Sequence, residues 1–354
     1  MLYFELWYTY TMQLFLYREE LRFKYPVHTA HGQFNERPTL IIELRDGDSS
    51  FWSEAPGFVD DAYMPETHDA LTQRWLDSAD TVLTAFKEER VPEYMAFIQN
   101  EPIFRYSVDV LYTQWLANQQ NRTLFQYMAC KHRNIDGTAM VGMLNSGAEY
   151  QNRILEVLQC GYSAIKLKLS PESLPLICDV IRLNQDSLDY ICVDANASFN
   201  PDNMMDLRAL PESVTIEQPL HPDQHQSFLQ LIHQLPHQFL VDESVRNIED
   251  IKSFKGLGVG VMLKPVCMGG IHPTINAIQR CHERFIPCGI SGYMDSGVGR
   301  YIQWCFTQMP NVLLRPDFVW SDYYFKNDVV TIDSDTSENA MPPATVSAPI
   351  IAVG

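Results

Sequence analysis

Five short apolar stretches between residues 164 and 264 carry an ionisable residue at or next to their C-terminal end, and they recur at a nearly constant interval. Residues 164–169 place Lys166 and Lys168 on one face and Ile165, Leu167 and Leu169 on the other, as the two-residue period of a strand dictates. Asp194 closes the stretch 190–194, Glu217 the stretch 214–217, Asp242 the stretch 239–242 and Lys264 the stretch 261–264. The successive steps from Lys168 to Asp194, Glu217, Asp242 and Lys264 are 26, 23, 25 and 22 residues. Each step fits one strand, one helix and two loops. Two lysines on one side of a strand repel each other and resist burial, so a fold that keeps them sets anions opposite.

The same texture extends to residues 139–144, 285–290 and 312–314, giving eight strands with helices between them. Strands this apolar, separated by helices, imply a parallel sheet covered on its outer face. Eight such units close into a (β/α)8-type barrel. A doubly wound open sheet is the alternative, and the missing Gly-rich phosphate loop after the first strand counts against it.

The 354 residues leave room for a second domain. Residues 40–44 and 50–55 read as strands joined by a hairpin turn at Asp46-Gly47, and Pro56-Gly57 breaks the second. His28 to Asn35 reads as a polar loop, and the apolar, aromatic stretch 1–17 as strand rather than signal peptide or membrane span. From 67 to 128, Leu71, Trp75, Leu76, Ala79, Val82, Leu83 and Phe86, then Ile103, Tyr106, Val110, Leu111 and Trp115, recur at helical spacing and read as packing. The expected organisation is an α+β domain over 1–130, the barrel over 131–320, and a C-terminal segment over 321–354. That segment is loop from 334 to 348, with 349–353 returning as an edge strand. The net charge of −18 excludes a nucleic-acid footprint and an anionic membrane surface. Eight cysteines without a C-x-x-C pair, several inside apolar runs, read as buried free thiols in a reducing, cytoplasmic compartment.

In a barrel of parallel strands, chemistry sits at the strands' C-terminal ends. One carboxylate there is ordinarily a helix cap, but five ionisable residues at one structural position in successive units are a set. Asp194, Glu217 and Asp242 on one rim would repel unless a cation neutralised them. Oxygen ligands alone suit Mg²⁺ or Mn²⁺ rather than Zn²⁺. Lysines on both sides could move protons, with cationic neighbours and the metal expected to depress their pKa values. The chemistry that follows is abstraction of a proton α to a carboxylate, with the metal stabilising the enediolate.

Lys166-Leu167-Lys168, Asp194-Ala195-Asn196, Glu217-Gln218-Pro219, Asp242-Glu243-Ser244 and Lys264-Pro265 resemble the active-site motifs of the enolase superfamily, muconate-lactonizing subgroup. The resemblance implies Mg²⁺ on Asp194, Glu217 and Asp242, with Lys168 as general base. Lys264 would be acid, base or cation on the other face, Lys166 would lie beside the metal carboxylates, and Asn196 and Glu243 behind them. It also implies that the N-terminal α+β domain caps the barrel, completed by the C-terminal segment.

Three details are similar to the o-succinylbenzoate synthase family: the Lys-Pro-x-x-x-Gly-Gly turn at 264–270, the capping loop Thr29-Ala30-His31-Gly32 with Arg37 nearby, and the segment from Ser291 to Gly299. Asp295 departs there from the usual Glu and Gly292 from the usual Ser. The residues so implied at the substrate, a small carboxylate, are His31, Gly32, Phe34, Gly270, Ser291, Gly292 and Asp295. The reaction implied is a syn elimination of water on the menaquinone pathway. The alternative is a dipeptide epimerase, or another cycloisomerase or racemase of the subgroup, and the missing Asp-x-Asp in 314–322 counts against the epimerase. A barrel that only binds a ligand would have no reason to keep both lysine faces.

Overall fold

The structure, a computed structural model, describes residues 12–29, 32–61, 64–333, 336 and 341–354. Three long strands, β1 (Gln13–Thr29), β2 (Gly32–Asp46) and β3 (Ser49–Ala55), form an antiparallel sheet. Gly47, at φ 59°, turns the chain between β2 and β3, as the Asp-Gly pair predicts. Of the polar loop expected at 28–35, residues 28–29 belong to β1 and 32–35 to β2 instead, and Ala30 and His31 lie outside the described residues. β1 and β2 pair through Val27↔Phe34 to Thr29↔Gly32, beyond an irregularity between Arg22 and Val27. Backbone pairing set by the hairpin overrides the polar side chains.

Two helices, His68–Lys87 and Pro102–Gln119, cover this sheet. Thr67 caps the first by accepting the Ala70 N–H. Leu71, Trp75, Ala79, Val82 and Phe86 are buried as their spacing predicts, whereas Leu76 is exposed. Trp75 donates from Nε1 to Ser107 Oγ at 3.1 Å and so ties the two helices together.

The second half forms a parallel sheet of seven strands: β4 (Ala139–Val141), β5 (Ala164–Lys168), β6 (Tyr190–Asp194), β7 (Thr215–Glu217), β8 (Phe239–Val241), β9 (Gly260–Leu263) and β10 (Cys288–Ile290). They lie side by side in chain order. The eighth strand expected at 312–314 does not form. Leu313 and Leu314 both donate their N–H to the Cys288 carbonyl, at 2.9 and 3.0 Å, and Asp317 donates to Ile290. Successive N–H groups converging on one carbonyl cannot make a ladder, and Pro316 has no N–H to offer. The last segment lies irregularly along β10 where a regular strand was expected.

The chain then returns to the first sheet. Lys326 N donates to Arg22 O, and β11 (Ile351–Val353) pairs antiparallel with β1 at Leu14–Leu16. All eight cysteines are free. Among the described residues no helix is long and apolar enough to cross a membrane.

Candidate active site

The ends of the parallel strands gather the charged residues around one pocket. Lys168, Asp194, Asn196, Asp242, Lys264, Ser291, Gly292, Asp295 and Asp317 line it together with Phe58, Met140, Tyr293 and Tyr324. Parallel register sets Lys168 beside Asp194, and Asp194 beside Glu217. β5 is buried on both faces, so Lys166 and Lys168 must find anions inside the sheet's curve.

They do so at short range. Lys168 Nζ lies 2.6 Å from Asp194 Oδ2 and 2.8 Å from Asn196 Oδ1. Lys166 Nζ lies 2.7 Å from Glu217 Oε2 and 2.5 Å from Asp317 Oδ2. Lys264 Nζ lies 2.5 Å from Asp242 Oδ2. Asn196, at φ 42°, donates from Nδ2 to Glu243 Oε1 at 3.0 Å and so joins Lys168 to Glu243.

Burial disfavours the charge on Lys166, yet Asp317, Glu217 and Asp194 together raise its pKa well above the ordinary value. Burial likewise opposes the charge on Lys264, and Asp242 and Glu243 reverse the effect. In both cases the groups touching the ammonium are carboxylates, and they outweigh the effect of burial. Burial also works against the charge on Asp194, but Lys168 and Lys166 hold it down at about 2. Glu217 goes the other way: burial raises it, Lys166 opposes, and Asp194, Asp317 and Asp242 add repulsion.

The donor set is hard carboxylate oxygen at the ends of three adjacent strands, which fits a hard cation. Among the described residues no three such side chains stand close enough together, as arranged, to hold one. The ammonium groups of Lys166, Lys168 and Lys264 rest on the carboxylate oxygens instead.

The family model described as enolase C-terminal domain-like matches residues 149–345, more than half of the chain. The chain belongs to the enolase superfamily. Two curated relatives are o-succinylbenzoate synthases. That of Enterococcus faecalis is 23% identical over 326 residues, covering 89% of this chain and 88% of its own. That of Geobacillus kaustophilus is 26% identical over 324 residues, covering 88% and 85%. A solved structure of a dipeptide epimerase from Enterococcus faecalis, complexed with Mg and the dipeptide L-Leu-L-Tyr, shares the fold with a TM-score of 0.78 at 16% identity, over 90% of this chain and 92% of that one.

In this enolase-superfamily chain the residues expected at the substrate fall into different places. Ser291, Gly292 and Asp295 line the pocket. A Cβ at Gly292 would stand 2.9 Å from Gln303 Nε2, so Gln303 takes the room a serine would need. Phe34 packs on Phe58, a pocket residue, with ring centroids 5.5 Å apart. Gly32 ends the β1–β2 hairpin against Thr29, and His31 lies outside the described residues.

Gly270 is not in the pocket. It starts the helix Ile271–Glu283 at φ 133°, and a Cβ there would collide with the Asp109 carboxylate. Asp109 accepts the Ile271 and His272 N–H groups, so this glycine serves the contact between the helix 102–119 and the barrel.

Two contributors were not read from the sequence. Asp317 accepts from Lys166 and from Ser291 Oγ at 3.1 Å. It lies 26 positions beyond Ser291, as Asp194 lies 26 beyond Lys168, so the interval itself points to it. Gln218 accepts the Asp242 N–H at 2.9 Å and the Ser244 N–H at 3.2 Å, and holds the end of β8 in place.

Proposed function

We propose that this protein is an o-succinylbenzoate synthase, a metal-dependent lyase that removes water from a succinyl-substituted hydroxycyclohexadiene carboxylate in cytoplasmic menaquinone synthesis. The observation that carries the reading is Lys168 and Lys264 lining one pocket with Asp194 and Asp242, in a chain aligned over nearly nine-tenths of its length with synthases of that name. The cap is assigned to 1–130, the barrel to 131–320 and the returning segment to 321–354.

Asp194, Glu217 and Asp242 would hold Mg²⁺, with Mn²⁺ as a substitute. The bound cation supplies the positive charge that stabilises the substrate carboxylate as its α-carbon loses a proton. Lys168, oriented by Asp194 and Asn196, takes that proton and returns one to the departing hydroxide on the same face. Lys264, four strands away around the sheet, presents a fixed positive charge to the other face. Lys166 sits between Glu217 and Asp317 and offsets one of their two negative charges. The wall formed by Ser291, Gly292 and Asp295, with Phe58, Gly32 and Phe34, meets the distal end of the substrate, and His31 is assigned to the same role from the sequence.

The test is turnover of the cyclohexadiene substrate with Mg²⁺. The second reading, a 1,1-proton transfer as in dipeptide epimerases, is favoured by the presence of two lysines. Exchange of dipeptide α-protons in D₂O without dehydration activity would select it.

A further inference from the structure

The turn that carries Lys264 ends in two consecutive glycines. Lys264 leads from β9 into the short helix Pro265–Met268, and Gly269 and Gly270 follow at φ 83° and 133° before the helix Ile271–Glu283 begins. Met268 N donates to the Lys264 carbonyl at 2.9 Å and Gly270 N to the Pro265 carbonyl at 3.1 Å, so the turn moves with Lys264 as one piece. A Gly-Gly link is the most pliable a chain can make. Gly270 also has no side chain with which to cap the helix it starts.

The cap comes from far away in the sequence. Asp109, on the helix 102–119, is fully buried. Its Oδ2 accepts the Ile271 N–H at 2.5 Å and the His272 N–H at 3.2 Å, and its Oδ1 lies 3.0 Å from His272 Nδ1. Thr113, one turn further along the same helix, puts its hydroxyl 3.2 Å from that ring nitrogen, and the Tyr127 hydroxyl lies 3.5 Å from His272 Nε2. Both carboxylate oxygens are used, which is the condition for keeping such a group buried. The carboxylate also faces the positive end of the helix dipole. Arg105, one turn before Asp109, flanks the other glycine: a Cβ at Gly269 would stand 3.4 Å from its Nη1. The helix 102–119 therefore holds the turn at both glycines.

We infer that Asp109 is a positioning residue for Lys264: by capping the helix 271–283 from the N-terminal half of the chain, it fixes the turn 265–270 and with it the ammonium that rests on Asp242. That ammonium lies 2.5 Å from Asp242 Oδ2. The kinetic consequence rests on the proposed role of Lys264 as a fixed charge on one face of the substrate. A displaced charge stabilises the transition state less and leaves the other contacts to substrate in place, so loss of the cap falls on kcat rather than on KM.

Asp109→Asn, Lys264→Arg and the double variant are compared with the wild type, all Mg²⁺-loaded and assayed well below their Tm. Asp109→Asn, which accepts through one side-chain atom instead of two, should lower kcat about tenfold and leave KM within about twofold. In the Lys264→Arg background, where the positioned group is already altered, the same change should cost less than about twofold. Equal losses in both backgrounds, or a loss carried by KM, overturn the positioning role. If Lys264→Arg is inactive, the split between kcat and KM decides alone. Hydrogen exchange needs no substrate: the amides of 265–272 should exchange about tenfold faster in Asp109→Asn, with those of β5 to β8 unchanged. Unchanged exchange in 265–272 overturns the anchoring. Should Asp109→Asn not fold, His272→Ala takes its place. It removes the ring contact, leaves both backbone contacts, and should lower kcat about threefold, with faster exchange in the same segment. No change in either readout then overturns the proposal. If the wild type does not turn over the cyclohexadiene substrate, the functional reading falls, and exchange still decides the anchoring.

Discussion

Lys166 Nζ lies 2.5 Å from Asp317 Oδ2, at the side of the sheet where an eighth strand would have closed the barrel. The contact joins β5 to the irregular segment that runs along β10. Asp317→Asn keeps the shape, removes one negative charge from Lys166 and leaves Glu217 as its nearest partner. The expected result is a fall in kcat/KM of about tenfold to a hundredfold, on the scale of losing one charged hydrogen bond, with the Tm close to wild type. Unchanged kinetics would show that Glu217 alone fixes Lys166.

This residue also marks how far the sequence could be read. Lys168, Asp194, Glu217 and Asp242 were legible because each follows an apolar run long enough to signal a strand. Asp317 follows Pro316 in a segment that makes no ladder, so periodicity stopped before reaching it and only the interval remained. The role of Gln218 is hidden for another reason: its partners are the backbone N–H groups of Asp242 and Ser244, which no side-chain pattern encodes. Gly270 was legible as a motif, but its place outside the pocket was not, because its neighbour Asp109 belongs to a helix far away in sequence.

Gly270→Ala separates those two roles. At φ 133° with Asp109 in the way, an added methyl should lower stability by about 2 kcal/mol or more, seen as a reduced Tm. Gly269→Ala, at φ 83° with its nearest neighbour 3.4 Å off, should cost only about 1–2 kcal/mol. A Gly270→Ala protein with native Tm and a raised KM would return this residue to the substrate.

Metal dependence follows from the three carboxylates. Chelation should abolish turnover and Mg²⁺ should restore it. Asp194→Ala, Glu217→Ala or Asp242→Ala should each lower kcat/KM on the order of a thousandfold, since two oxygen ligands hold a hard cation poorly. Loading has a readout without activity as well. Mg²⁺ should raise the Tm of the wild type by mass action and leave that of each variant nearly unchanged. Full activity in EDTA would remove the metal from the proposal.

The two lysines decide which reaction the pocket performs. Lys168 Nζ is held by Asp194 and Asn196, and Lys264 Nζ by Asp242, from strands on opposite sides of the curled sheet. A syn elimination needs a base on one face only, and the other lysine then acts through its charge. Lys168→Ala should therefore eliminate dehydration, while Lys264→Arg, which keeps the charge and cannot act as a base, should retain a small fraction of it. An inversion at carbon needs a base on each face, so both changes should be fatal to it, and each variant should still exchange the α-proton of one stereoisomer in D₂O. Normal dehydration by Lys168→Ala would overturn the assignment of the base. Equal, complete loss in both variants, with stereospecific exchange surviving in each, would transfer the assignment to the epimerase chemistry.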